Sequence, residues 1–180
     1  MGYALARAGI KASHKVTLIT TPVDQRPPKA AKIVKVETAA QMLIAVQQHF
    51  SRCDCLIMAA AVADYTPVKQ AKSKIKKTGK SLTIKLKPTV DILKWAGTHK
   101  KKNQIVVGFA LEDKQLKTRA EKKLKEKNLD MIIANTPAAI GSDMSSVLIK
   151  AIGGKWLKIP QASKTTIARR IIATIEKESL

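Results

Sequence analysis

The sequence predicts an α/β fold: a mostly parallel sheet with helices on both faces and a protruding β-hairpin flap. Three observations predict it. β-branched runs such as Lys15-Val16-Thr17-Leu18-Ile19-Thr20 alternate with stretches of helical period, which is the pattern of successive βαβ units. The apolar run from Leu56 to Ala63 ends abruptly in Asp64, as a buried parallel strand does where it opens into a loop. A lysine-rich segment over about 65–88 then interrupts the alternation. At 180 residues the chain is the size of one domain, able to bury roughly 70% of its unfolded surface. No repeat or low-complexity linker divides it, so residues 1–180 are read as one unit.

The elements follow in order. Gly2 to Ala8 is an Ala-rich helical start, and Lys15 to Thr20 is a strand. Pro22, Pro27 and Pro28 break the chain before a short strand at Ile33 to Val36. Thr38 is a fair N-cap for a helix whose apolar side carries Met42, Leu43, Val46 and Phe50. Cys55 to Ala61 is the next strand. Ser73 to Lys77 and Ser81 to Lys87 flank Thr78-Gly79-Lys80, and Leu82, Ile84 and Leu86 alternate with Thr83, Lys85 and Lys87, so a two-stranded hairpin is expected there. A helix from about Asp91 to Thr98 leads to a strand at Gln104 to Phe109, a helix at Lys114 to Lys127 and a strand at Asp130 to Ala134. Gly141-Ser142-Asp143 makes a turn, and Val147 to Ala151 and Lys155 to Ile159 straddle Gly153-Gly154 as a second hairpin. Ser163 caps a last helix with Ile167, Ile171, Ile172 and Ile175 as its core stripe.

Charge raises one class of partner and composition argues against it. With 34 Lys+Arg against 13 Asp+Glu the net charge is +21, which suits a polyanion. Yet the cations are mostly lysines spread along the chain, and aromatics are 3% of residues, so stacking platforms and bidentate arginine readout are scarce and nucleic acid is not the expected partner. Cys53 and Cys55 fit a reducing cytoplasm. A Cys-x-Cys pair could hold a metal, but His14, His49 and His99 lie at no recognisable ligand spacing, and two small residues leading into a strand is the plainer reading. No apolar run reaches the about eighteen residues needed to span a bilayer, so no membrane partner is expected.

Four places could carry chemistry. Asp64 falls at the carboxyl end of a strand, where α/β enzymes place ligand-holding groups, although a turn-initiating aspartate would look the same. Lys74, Lys76 and Lys77 form a tight cluster that suits an anion or a lysine-blunted edge strand; in a strand Lys74 and Lys76 would share one face. Lys123 and Lys127, four apart near a helix C-terminus, either complement the helix dipole or grip phosphate if that end faces Asp64's cleft. Phe109 could stack on a base or fill the core.

A set of motifs in order makes the pattern specific. Met-Gly-x-Ala-Leu-Ala stands at Met1 to Ala6, Thr-Ala-x-x-Met at Thr38 to Met42, Met-Ala-Ala-Ala-Val-Ala-Asp at Met58 to Asp64 and Lys-x-Lys-Lys at Lys74 to Lys77. Val90-Asp91-Ile92 takes the place of a Pro-Asp-Ile turn. Then come Val-Gly-Phe-Ala at Val107 to Ala110, Lys-x-x-x-Lys-Asn-x-Asp at Lys123 to Asp130, Ala134-Asn135 and Ser142-Asp143. Over essentially its whole length the chain resembles the phosphopantothenate-cysteine ligase family, the synthetase that forms the C-terminal domain of the bifunctional coenzyme A biosynthesis flavoprotein.

The resemblance implies a Rossmann-like sheet and a homodimer in which the flap helps close the neighbour's site. It implies ligation of 4'-phosphopantothenate and cysteine with CTP as cosubstrate, Mg²⁺ accompanying the triphosphate. By the same resemblance the backbone of Met58, Ala59 and Ala60 would read cytosine, Asp64 would hold the nucleotide, and Lys74 would be the catalytic flap lysine. Thr89, Val90, Asp91 and Ile92 would shape the nucleotide pocket, Phe109 would pack against it, and Lys123 and Lys127 would grip the phosphates. Family members carry, ahead of Met-Gly, a first strand, a phosphate loop and an Ile-Ser-Asn-x-x-Ser-Ser-Gly-Lys segment, and this sequence starts after them. Many bacteria also fuse a flavin-dependent decarboxylase domain upstream.

Overall fold

A computed structural model describes residues 1–69, 71, 73–77, 79, 81–137, 141 and 143–178. Along the chain come α1 (Gly2–Lys11), β1 (Thr17–Thr20), β2 (Lys32–Lys35), α2 (Ala39–Phe50), β3 (Cys55–Met58), β4 (Tyr65–Pro67), β5 (Leu86–Pro88) and α3 (Ile92–His99). They continue with β6 (Ile105–Leu111), α4 (Leu116–Glu126), β7 (Met131–Asn135), β8 (Met144–Ala151), β9 (Leu157–Ser163) and α5 (Lys164–Glu178). The main sheet has the order β3-β6-β7-β8-β9. Its first three strands are parallel, and β8 and β9 add antiparallel at one side.

Period-two alternation sorts the strand residues onto two faces, and helices cover both. Val107, Met131 and Ile133 point into a core completed by Ala4, Leu5 and Ala8 of α1 and by Ile167, Ile171, Ile172 and Ile175 of α5. Val106, Ala110, Ile132 and Ala134 point the other way, onto Leu93 and Ala96 of α3, Ala120 and Leu124 of α4 and Phe50 of α2. The isoleucine stripe of α5 is buried as its spacing predicts; at about 1.5–3 kcal/mol per side chain its burial contributes on the order of 6–12 kcal/mol. Ser163 Oγ accepts from the Thr166 N–H at 3.2 Å, the expected cap. Thr38 forms a full capping box with Gln41, accepting from its N–H at 3.1 Å.

The sheet is interrupted. β1 and β2 form their own parallel pair, with Met42, Ala45 and Val46 of α2 packed together with Val36 and Ile92 in a third core. Among the described residues β1 pairs only with β2, and β3 only with β6. Every residue of β3 is half-buried, whereas Val106, Val107, Ile132 and Ile133 are 0% exposed. The first turn of α1 stands at the carboxyl ends of both strands. Tyr3 shares a 3.2 Å hydrogen bond with Thr20 Oγ1, and a Cβ placed on Gly2 would lie 3.9 Å from the Ala59 Cβ.

Several boundaries differ from expectation. The strand expected to run to Ala61 leaves its ladder after Met58, the partner of Gly108. The helix expected from Lys114 starts at Leu116, because Gln115 takes a left-handed conformation, φ 52°, that a helix cannot continue through. The flap is corrected most. Ser73 to Lys77 are not a strand, and the ladder is confined to Tyr65–Pro67 against Leu86–Pro88, extended by the Val68 N–H to Lys85 carbonyl bond. A two-stranded ribbon without a covered face is marginal, and like-charged lysines along it weaken it further. Lys74 and Lys76, expected on one face of a strand, are therefore not set there by strand alternation. Thr78, Lys80 and Ser142, parts of two expected turns, lie outside the described residues.

Candidate functional site

The residues singled out in the sequence gather at the carboxyl ends of β3 and β6, where a parallel α/β sheet presents its ligand-holding groups. Gly108 faces Met58 across the ladder, and a Cβ there would come within 2.8 Å of Leu93 and Leu129 side chains. Past Met58 the Ala59–Asp64 segment is tied to the entry of α3. The Thr89 N–H donates to the Asp64 carbonyl at 2.9 Å, and the Thr89 hydroxyl donates to the Ala63 carbonyl. This double tether also closes the base of the flap, since Thr89 directly follows β5.

Asp91 starts α3. Its Oδ1 accepts from the Lys94 N–H at 2.9 Å, an N-cap, and its Oδ2 meets Lys127 Nζ at 2.7 Å. Burial alone would raise the carboxyl pKa, but hydrogen bonds from Lys127 and the Lys94 N–H, with the charges of Lys127 and Lys123, hold it below the usual value. Ile92 beside it is buried, while Val90 is 58% exposed.

Lys123 is partly buried at the same strand end. Its Nζ donates to the Phe109 carbonyl at 2.7 Å, at the end of β6. Half-burial pulls the ammonium pKa down and Lys127 adds to the fall, against which the carboxylates of Asp91, Glu112 and Asp64 act. Lys123 and Lys127 are thus two neighbouring cations at one strand end, one of them poorly compensated, and an anion entering there would supply the missing charge. The Phe109 ring points to the opposite face and packs against the α1–α5 core, so at this strand end its carbonyl meets Lys123.

Asp64, Thr89, Val90, Asp91, Ile92, Phe109, Lys123 and Lys127 are therefore drawn into one neighbourhood, with Met58, Ala59 and Ala60 at its β3 side. Lys74 is not. It is exposed on the flap and makes no hydrogen bond or ion pair among the described residues. Two residues given no role by the sequence belong to the frame: Gly97, whose α3 backbone lies against the end of α4, and Asn128, whose side chain bonds to it. A signal for Asn128 existed, since Asn after a lysine-rich last turn is a helix-stop residue. Among the described residues no group of three His, Cys, Asp or Glu could hold a metal ion. Cys53 and Cys55 are free thiols, and burial chiefly pushes Cys55 up to about 12.

A sequence profile for the DNA/pantothenate metabolism flavoprotein C-terminal domain matches residues 1–179. The coenzyme A biosynthesis bifunctional protein CoaBC of Bacillus subtilis (strain 168) is 42% identical over 180 residues, covering 97% of this chain. The chain spans only 44% of that relative's length. A crystal structure of the C-terminal domain of a CoaBC protein superposes with a TM-score of 0.84 at 34% identity, over 98% of this chain and 81% of that one. A Cab2 mutant in complex with phosphopantothenate-cysteine shares the fold, with a TM-score of 0.65 at 20% identity over 83% of this chain and 54% of that one.

Proposed function

The chain belongs to the DNA/pantothenate metabolism flavoprotein C-terminal domain family, and from that premise we propose that it is a phosphopantothenate-cysteine ligase domain serving coenzyme A biosynthesis. The observation that carries the reading is the pair Lys123 and Lys127 at the end of β6, one half-buried on a main-chain carbonyl and the other on the α3 cap. A carboxylate is a poor electrophile and must be activated. In the proposed reaction the 4'-phosphopantothenate carboxylate attacks the α-phosphate of CTP, forming an acyl-cytidylate and expelling pyrophosphate. The cysteine amine then attacks the acyl carbon, forming the amide, releasing CMP and losing its proton to solvent.

Charge neutralisation and positioning do most of the work in such chemistry. Lys123 and Lys127 neutralise the phosphates, Asp64 and the Met58–Ala60 backbone hold the nucleotide, and Thr89 to Ile92 wall the pocket. Lys74 reaches the acyl-cytidylate when the flap moves. Mg²⁺ would accompany the triphosphate, as magnesium usually does, held largely by phosphate oxygens and water. Ile75, Leu82 and Ile84 are 58–64% exposed on the flap, and a homodimer that covers them would bring the flap to the neighbour's site. The edges of β1 and β3 that pair with no strand among the described residues, with α1 starting at their carboxyl ends, suit one further parallel strand leading into α1, like the first strand of the family.

The test is pyrophosphate release and amide formation with 4'-phosphopantothenate, cysteine, Mg²⁺ and either CTP or ATP, on this chain and on one extended upstream in its gene. Amide formed with CTP by either chain supports the proposal. Salt-steep binding of any polyanion, with no amide from either, replaces it with a noncatalytic basic module.

A further inference from the structure

We infer that Gly97 and Asn128 are positioning residues for the cation pair: they clasp the end of α4 to α3, and the clasp sets where Lys127 and Lys123 present their ammonium groups. For the ligand, though not for the geometry, this rests on the proposed nucleotide site. α4 ends in a Schellman motif. The Leu129 N–H donates to the Leu124 carbonyl at 2.9 Å and the Asn128 N–H to the Lys125 carbonyl at 3.1 Å, around a left-handed Asn128 with φ 51°. Glycine would suit that backbone better. Asparagine instead turns its Nδ2 onto the Gly97 carbonyl at 2.7 Å. Gly97 in turn must be glycine, because a Cβ would fall 1.8 Å from the Lys127 carbonyl oxygen and 2.9 Å from that of Asn128.

The clasp holds Lys127 against the last turn of α3, but its ammonium works at the start of that helix. Gly97 and Asp91 are six residues apart, roughly 9 Å at about 1.5 Å per residue, a span that an extended lysine stem and a carboxylate together cover. With the backbone pinned at Gly97, Lys127 Nζ reaches Asp91 at 2.7 Å. A slide of α4 by about one residue would break that pair. One turn earlier on the same helix, Lys123 would leave the Phe109 carbonyl.

The discriminating variant is Asn128→Gly, which keeps the left-handed backbone and removes only the amide bond. Its Asp91 carboxyl is titrated by ¹³C NMR beside wild type. The charged groups that face this carboxyl are Lys127 and Lys123, with the Lys94 N–H. The expected result is a folded variant whose Asp91 titrates closer to an ordinary aspartate, with CTP affinity by calorimetry weaker by roughly ten- to a hundredfold. Folded Gly97→Ala should move Asp91 in the same direction. An Asp91 titration unchanged in Asn128→Gly overturns the inference, because a role limited to global stability lowers Tm without moving that carboxyl. If wild type binds no CTP, the nucleotide reading fails while the Asp91 titration still decides the clasp.

Discussion

Asp130→Ala, at the end of the lysine-rich signature, should be strongly destabilising because the side chain is built into the backbone of the sheet. Its Oδ2 accepts from the Val106 N–H at 2.8 Å, its own N–H donates to the Val106 carbonyl at 3.0 Å, and its Oδ1 pairs with Lys100. The side chain thus continues the β6–β7 ladder one step past its first residue pair, Val107 with Met131. Alanine leaves the amide of a residue that is 0% exposed without an acceptor, a loss of about 1–3 kcal/mol. It also frees a lysine whose side chain is 16% exposed, which swings to water at the loss of a further ~1 kcal/mol. A total of about 3 kcal/mol lowers Tm by roughly 6–12 °C in a domain of this size. Thermal and urea unfolding measure it, with an unchanged urea slope expected. Asp130→Asn keeps an acceptor for Val106 and should lose about half as much. An alanine variant that loses under ~1 kcal/mol, or an asparagine variant as damaged as alanine, would refute the reasoning.

Three further outcomes follow from the site. Because burial lowers the Lys123 pKa in the fold, the unfolded chain holds that proton more tightly, and stability rises as pH climbs from the folded value toward the ordinary 10.5. Lys123→Met removes this cost at neutral pH, so Tm should hold or rise while CTP affinity falls by roughly ten- to a hundredfold; a less stable variant with normal affinity contradicts that. Asp91 has a depressed folded pKa, so its stabilisation is complete above the ordinary carboxylate value of 3.8 and is lost as pH falls through the folded value. Acid unfolding of Asp91→Asn should accordingly show a shallower limb below about pH 4, and identical limbs would sink the assignment. Lys74→Gln should fold normally and block amide formation, and unchanged turnover removes Lys74 from the reaction.

What the sequence disclosed and what it hid divide along the range of the interactions. Thr38 with Gln41, Ser163 with Thr166 and the α5 stripe are local patterns, legible because the partners lie within one or two helical turns. The two-faced strands β6 and β7 read as continuous apolar runs because both their faces are covered. Lys123 and Lys127 pair by the local four-residue spacing, but joining Asp64 and Asp91 to them needed the family motifs, since no local rule links residues so far apart in the chain. The clasp stayed hidden for the same reason: Gly97 reads as an ordinary weak point in a helix until the backbone of Lys127 is seen against it. The flap misled because alternation in Leu82, Ile84 and Leu86 mimics a strand, while among the described residues nothing covers those side chains, which are left exposed.

The division of the sheet between β1 and β3 also bears on how the molecule opens. The β1–β2 pair is held by α2 and by the first turn of α1, and no ladder bond among the described residues joins it to the strands that carry the two large cores. Its exchange-protected amides therefore belong to a smaller cooperative unit than those of β6 and β7, and it can detach while the five-stranded sheet stays intact. Any chain segment that bridges those two edges would fuse the units into one, making amide protection in β1 a direct gauge of whether the bridge is in place.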